Sequence, residues 1–226
     1  MNKGIEITVV VSSKKDSKEN MTLLQNINET IGIPCHIMCI QNDGVSLTSV
    51  YQDAMDKTNT DIVVFVHDDI EFLRGGWGVE LLRMFKEHND FGIIGVAGSA
   101  EFDSNAMWWN YEKKYGQVLH RSEGKSWLTS FSPLLKQDLV EVCVIDGLFM
   151  AIHKKRISKG FSKDVEGFNF YDIDFCLSNF LDKKTKIGVT THIRMAHNSI
   201  GALSDNWFQN KEKINNKFKE NYPIKV

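Results

Sequence analysis

Residues 61–72 read DIVVFVHDDIEF. Five apolar residues, Ile62 to Val66, run directly into His67, Asp68 and Asp69. An apolar run this dense, bounded by charge, reads as a strand buried on both faces, as in a parallel sheet. Two adjacent carboxylates at its end repel each other unless they are solvated, paired or bound to a cation. A surface turn would account for them, and so would a binding site at the strand's end.

Apolar runs and helical patterns alternate around this strand. IEITVVVSS (5–13) and CHIMCI (35–40) read as the two strands before it, and FGIIGVAGS (91–99) as the one after. Ser17 precedes a helical segment with Leu24, Ile27 and Ile31 on one face, closed by Gly32 and Pro34. Ser46 stands where it can cap a second helix, with Leu47, Val50, Tyr51 and Ala54 as its apolar stripe. A third helix spans about Trp77 to Phe85. The alternation predicts an α/β fold with a mostly parallel central sheet flanked by helices. Ligands bind such sheets at the carboxyl ends of the strands. Those ends are Ser12-Ser13, Gln41-Asn42-Asp43, His67-Asp68-Asp69 and Gly98-Ser99, so polar residues converge on one edge.

The second half reads differently. Residues 100–140 lack clear periodicity but carry Trp108, Trp109, Tyr111, Tyr115, His120 and Trp127, either a local hydrophobic cluster or a binding wall. VCVIDGLFMAIH (142–153) is a strand-like run broken by Asp146-Gly147, and IGVTTHIRMAH (187–197) is another, ending in His197. YDIDFCLSNFL (171–181) places Ile173, Cys176, Leu177 and Phe180 on one helical face, and residues 205–220 form a C-terminal helix. No repeat or linker divides the chain, so one domain is expected.

Composition narrows the function. With 27 basic and 29 acidic residues scattered along 226, there is no electrostatic footprint for nucleic acid. No apolar stretch approaches the about 18 residues a membrane helix needs, and the N-terminal residues carry no cleavage-site pattern. Cys35 and Cys39 share one strand, roughly 13 Å apart, which rules out a disulfide between them. Reduced, buried thiols and a cytoplasmic protein are the expectation. The oligomeric state is not legible.

Asp172 stands at a helix start, where a capping role and a chemical one are both open. Asp174 lies about 200° around the helix from it, so the two are not an acid/base pair. Asp69 and His197, each at a strand end, are reasonable ligands for Mn²⁺, with Asp68 or a substrate phosphate completing the shell.

The order IEITVVVSS, LTSVYQDAM, DIVVFVHDD, VIDGLFMAIHKKRI, GFNFYDIDFCL and MAHNSIG, spanning residues 5–201, resembles the family 2 glycosyltransferases of the GT-A, Rossmann-like fold. It is most similar to a glycosyltransferase-like subgroup named after a streptomycin-biosynthesis protein. The resemblance implies a nucleotide-binding half over residues 1–100 and an acceptor and catalytic half over 101–226. It implies a nucleotide-sugar donor, uridine-based by expectation, a hydroxyl acceptor, and Mn²⁺ or Mg²⁺.

The family's Asp-x-Asp aligns with His67-Asp68-Asp69. Asp69 matches the metal-contacting second aspartate, while His67 replaces the first, which contacts ribose or metal. By the same resemblance, Ser12, Asn42, Asp43, Gln52 and Asp68 fall in the nucleotide-binding set, and His197 joins the metal shell. The family's Glu-Asp pair aligns with Tyr171-Asp172, making Asp172 the catalytic base of an inverting transfer. Asp146, Gly147, Trp108, Trp109 and Tyr171 fall near the donor sugar and acceptor. The departures at His67 and Tyr171 keep a non-catalytic nucleotide-sugar-binding protein of the same fold open as the alternative. A metal-dependent nucleotidyltransferase is a lesser one, because VVSSKKDSKEN lacks the glycine-rich phosphate loop such enzymes carry.

Overall fold

The computed structural model describes residues 6–199 and 204–226. Its first half follows the alternation: β1 (Ile7–Ser13), α1 (Met21–Thr30), β2 (Cys35–Gln41), α2 (Leu47–Lys57) and β3 (Ile62–Val66). A short β4 (Ile70–Phe72) and α3 (Trp77–Glu87) come next. The chain continues through β5 (Phe91–Gly95), β6 (Ala97–Ser99), β7 (Glu101–Phe102), β8 (Lys114–Ser122) and β9 (Lys125–Ser130). It ends with β10 (Val140–Val142), β11 (Val144–Ile145), β12 (Phe149–His153), α4 (Tyr171–Leu181), β13 (Lys186–Val189), β14 (Met195–His197), α5 (Asp205–Phe218) and β15 (Ile224–Lys225).

The central sheet has the order β10-β13-β5-β12-β3-β1-β2. β2, β1 and β3 run parallel, as do β13 and β5, while β12 is antiparallel to both neighbours and β10 to β13. All five residues of β3 are buried, as expected of an apolar strand at the sheet's centre. The fold is therefore mixed α/β with a mostly parallel sheet flanked by helices and a C-terminal helix, α5.

Three long strand-like runs, the second already broken at Asp146-Gly147 in the sequence, each divide between two sheets. Residues 91–99 bend at Val96, so β5 lies in the central sheet and β6 in a second sheet of order β11-β6-β8-β14-β4. Residues 142–153 divide among β10, β11 and β12, and residues 187–197 between β13 and β14. Val96 and Cys143 are buried, so hydrophobicity continues straight through those two bends, whereas Asp146-Gly147 and Thr190-Thr191-His192 interrupt the runs elsewhere. At the Val96 bend the chains approach closely. Gly116 on β8, at φ +113°, lies where any Cβ would sit 2.1 Å from the Val96 carbonyl.

Residues 114–130, read as irregular, form the β8–β9 hairpin. Its two-residue turn, Glu123-Gly124, has positive φ at both positions (51° and 74°), which suits the twist of paired strands. The first helix also starts later than Ser17. Asp16 accepts from the amides of Lys18 and Glu19 at 2.8 and 2.9 Å, forming a turn that defers the helix to Met21. Ser46 occupies the cap position of α2, but its hydroxyl instead accepts from Gly167 N at 2.8 Å. Cys143 and Cys176 are buried, whereas Cys35 and Cys39 on edge strand β2 are only half-buried.

Candidate active site

β3 ends at Val66, and the next three residues leave the sheet edge with side chains directed to two different places. Asp68 accepts from the Ser13 hydroxyl at the end of β1. Around it lie Ser12 and Asn42, joined by a 3.2 Å bond from Asn42 Nδ2 to Ser12 Oγ. Asn42 is buried and spends its other bonds on its own loop: Oδ1 accepts from Gly44 N and Val45 N, and Nδ2 donates to Val45 O. Asp43 is exposed beside it.

His67 and Asp69 instead meet His197, which β14 delivers by pairing antiparallel with β4 (His197 opposite Ile70). One ligand atom from each of His67, Asp69 and His197 lies within 4.8 Å of the others. His197 Nε2 stands 3.3 Å from Asp69 Oδ1 and 3.2 Å from the Ser199 hydroxyl. Asp69 Oδ1 is buried without a well-formed hydrogen bond, although a buried carboxylate oxygen ordinarily has one. Burial pushes the Asp69 carboxyl up, but His197, Ser199 and His67 outweigh it and hold the group below the usual carboxylate range. Burial lowers His197 as well, yet Asp69 prevails and raises it overall. Two imidazoles and an ionised carboxylate with an unsatisfied oxygen are a donor set for a divalent cation. Asp68 is outside this group.

The cluster opens into a cavity of about 520 Å³ that also holds Asp146, Gly147, Tyr171 and Asp172. Asp172, in the first turn of α4, accepts from Gly147 N through Oδ2 at 2.8 Å and from its neighbour Ile173 N through Oδ1 at 2.9 Å. Burial and the nearby Asp146 charge push its carboxyl up to about 7, partly countered by those backbone N–H groups. A carboxylate held in place and half-ionised at neutral pH is poised to accept a proton. Asp174 points elsewhere, to Lys217 on α5 at 2.7 Å, and ties the two helices together.

Trp108 and Trp109 both line the cavity, Trp108 buried and Trp109 exposed at its rim. Trp108 packs on Phe131 (centroids 4.9 Å apart) while lining the cavity, so it belongs at once to a hydrophobic cluster and to the cavity's wall. The sequence reading named no site role for four further lining aromatics, Phe131, Phe168, Phe170 and Trp207, and counted His120 only within the cluster or wall of residues 100–140. His120, on β8, stacks on Trp127 and lies 5.6 Å, ring to ring, from His197. Gln52 is not brought to the site. Its Oε1 accepts from Phe161 N and its Nε2 donates to Asp56, so it braces a loop outside the cavity.

Residues 6–222 match a family model described as "Glycosyltransferase like family". The chain belongs to that family. No curated protein matches it. Among solved structures, it resembles GalNAc-T7 with UDP, GalNAc and Mn²⁺ (8% identity, TM-score 0.61), covering 96% of this chain and 48% of that one. It also resembles S. aureus TarS (10% identity, TM-score 0.58), covering 93% of this chain and 39% of that one. A TarS fragment, 1–349, in complex with UDP-GlcNAc matches at 10% identity and TM-score 0.54, over 88% of this chain and 60% of that one. The chain thus spans well under two thirds of these proteins, and the likeness is one of fold. Among the described residues, no helix is long and apolar enough to cross a membrane.

Proposed function

We propose that this glycosyltransferase is an inverting enzyme moving a hexose from a uridine-diphosphate sugar to an acceptor hydroxyl, assisted by a divalent cation. The observation that carries the reading is one cavity lined both by His67 and His197, the imidazoles that flank Asp69 and its under-bonded Oδ1, and by a second carboxylate, Asp172, with its pKa raised to about 7. His67, Asp69 and His197 would hold Mn²⁺ or Mg²⁺, which when bound supplies Lewis-acid stabilisation of the leaving diphosphate. Ser12, Ser13, Asn42 and Asp68, at the ends of β1 to β3, would line the nucleotide, with exposed Asp43 at its edge.

Asp172 is the base. Its Oδ atoms, fixed by Gly147 N–H and Ile173 N–H, take the proton from the attacking hydroxyl. Its pKa suits proton acceptance, which supports single displacement with inversion. Trp108, Trp109 and Trp207 form walls against which the apolar face of a sugar can stack and from which water is excluded. The motif order supports the streptomycin-named subgroup, and four free thiols support a cytoplasmic setting.

The test is thermal stability and donor turnover with a panel of nucleoside-diphosphate sugars, with and without Mn²⁺. A matched donor at about 100 times its Kd stabilises by nearly 3 kcal/mol, or several degrees of Tm. Metal-dependent stabilisation together with sugar transfer or hydrolysis is expected. Stabilisation without turnover would favour a non-catalytic nucleotide-sugar-binding protein, and no response to any nucleotide would overturn the reading.

A further inference from the structure

We propose that Tyr171 is a positioning residue: its phenol holds His67 in the tautomer that leaves Nδ1 free to ligate a divalent cation. The inference rests on the metal-assisted reading above and assigns a role to a residue that departs from the Glu-Asp pattern.

His67 Nε2 lies 2.8 Å from Tyr171 Oη across 104 residues of sequence. An imidazole has one nitrogen on each side, so a phenol at Nε2 leaves Nδ1 for anything else. A metal-ligating histidine characteristically has its other N–H held by a neighbour, which fixes both tautomer and ring orientation. Here that neighbour is the phenol of a buried tyrosine. His67 lies beside the other two ligands of the cluster, its ring 5.6 Å from that of His197.

Three features converge to place this phenol. Phe170, just before it, is held at φ +65°, a left-handed conformation that bulky residues avoid and that concentrates at functional sites. Gly147 leaves the room: a Cβ there would fall 2.1 Å from Tyr171 Oη. Tyr51 packs edge-on against the Tyr171 ring, centroids 5.5 Å apart. Gly147, which admits the phenol, also donates its N–H to Asp172, the residue after Tyr171. One turn of α4 and one glycine therefore set both the His67 ligand and the carboxylate base.

The experiment is Mn²⁺ titration of the full chain by calorimetry, with no nucleotide or sugar present, for the wild type, Tyr171→Phe and Gly147→Ala. Tyr171→Phe removes only the hydroxyl and is expected to weaken Mn²⁺ about 10- to 100-fold. Gly147→Ala keeps the hydroxyl but displaces it, with a loss in the same direction. ¹⁵N-histidine spectra should show the His67 proton on Nε2 in the wild type and a mixture of tautomers in Tyr171→Phe. A merely structural Tyr171 would lower the melting temperature and leave both affinity and tautomer unchanged. Affinity within twofold of wild type in Tyr171→Phe, a His67 proton on Nδ1 in the wild type, or no Mn²⁺ binding by the wild type would each overturn the proposal. Failure of the transferase reading is separable, appearing as no nucleotide-sugar turnover while the Mn²⁺ losses persist.

Discussion

Two regions of this protein collect carboxylates and imidazoles, and their difference shows what makes such a cluster chemical. One is His67, Asp69 and His197; the other is Glu80, Asp138 and His192, with Glu87 and His88 adjoining. By residue type alone either could hold a cation. In the second, the guanidinium of Arg83 already lies among the carboxylates, forked onto Asp138 at 2.8 and 2.9 Å and bonded to Glu80 and Glu87. Arg83 is the main cause of the depressed Asp138 pKa, with His88 adding to it. Charge there is neutralised by the fold itself, in the bidentate geometry arginine favours. The first cluster has no guanidinium or ammonium forked into it among the described residues; His197 stands 3.3 Å from Asp69, whose Oδ1 is buried without a well-formed hydrogen bond. The sequence marks the same contrast: the Arg83 cluster draws on the partly exposed face of a helix, whereas His67 and Asp69 follow a strand buried along its whole length.

The contrast breaks most directly with paired substitutions. Asp69→Ala is expected to reduce Mn²⁺ affinity by at least about 100-fold and abolish metal-dependent nucleotide binding, beyond what loss of an outer neighbour costs. Asp138→Ala should leave both unchanged. Calorimetric titration of the two variants side by side checks it, and equal losses would erase the distinction. Asp172→Ala comes next. It should slow sugar transfer about 10²- to 10⁴-fold with nucleotide and Mn²⁺ affinity retained, as expected for removal of a general base. Steady-state rates beside binding isotherms separate these effects.

Asp138→Ala reports on the other cluster by its stability. Removing Asp138 strips Arg83 of its forked partner, but Arg83 keeps Glu80 and Glu87 and is partly solvated, so the loss is about 1–2 kcal/mol. In a chain of this size that is a fall in Tm of roughly 2–8 °C by calorimetry. A fall of this kind without change in metal binding would identify the Arg83 cluster as a structural clamp tying α3 to the segment before β10.

What was legible in the sequence follows the same division. The β3 run and its His-Asp-Asp end are contiguous, so local hydrophobicity and charge sufficed, and the α/β alternation followed. The bends at Val96 and Cys143 were invisible because both sheets bury their residues, and a continuous apolar run carries no mark of where it changes sheet. The β8–β9 hairpin went unread because β9 is mostly exposed and its alternation weak; the Glu123-Gly124 turn was the available signal. Asp69 and His197 were legible as strand ends, but the His67–Tyr171 bond was not, since nothing local in either residue encodes a partner 104 positions away. The bracing contacts of Gln52 were illegible for the same reason. A motif position gave it a ligand, while its contacts with Phe161 and Asp56 depend on a loop the sequence does not reveal.

The smallest effect sharpens the comparison at the base. With Asp172 as the proposed base, kcat/KM should rise with pH through a limb near 7, the value to which burial and Asp146 raise the group. Asp146 contributes by like-charge repulsion, and its Oδ1 accepts from Leu148 N at 2.9 Å, a bond that asparagine can keep. Asp146→Asn therefore removes the charge while preserving the loop. With less repulsion the Asp172 carboxylate is easier to form, its pKa falls, and the limb moves toward acid. The burial contribution is larger and stays, so the limb should remain above the ordinary carboxylate range near 4. A pH–rate profile of the two proteins measures the displacement directly. A limb that stayed in place would make burial alone responsible, and one that moved toward alkali would overturn the charge argument.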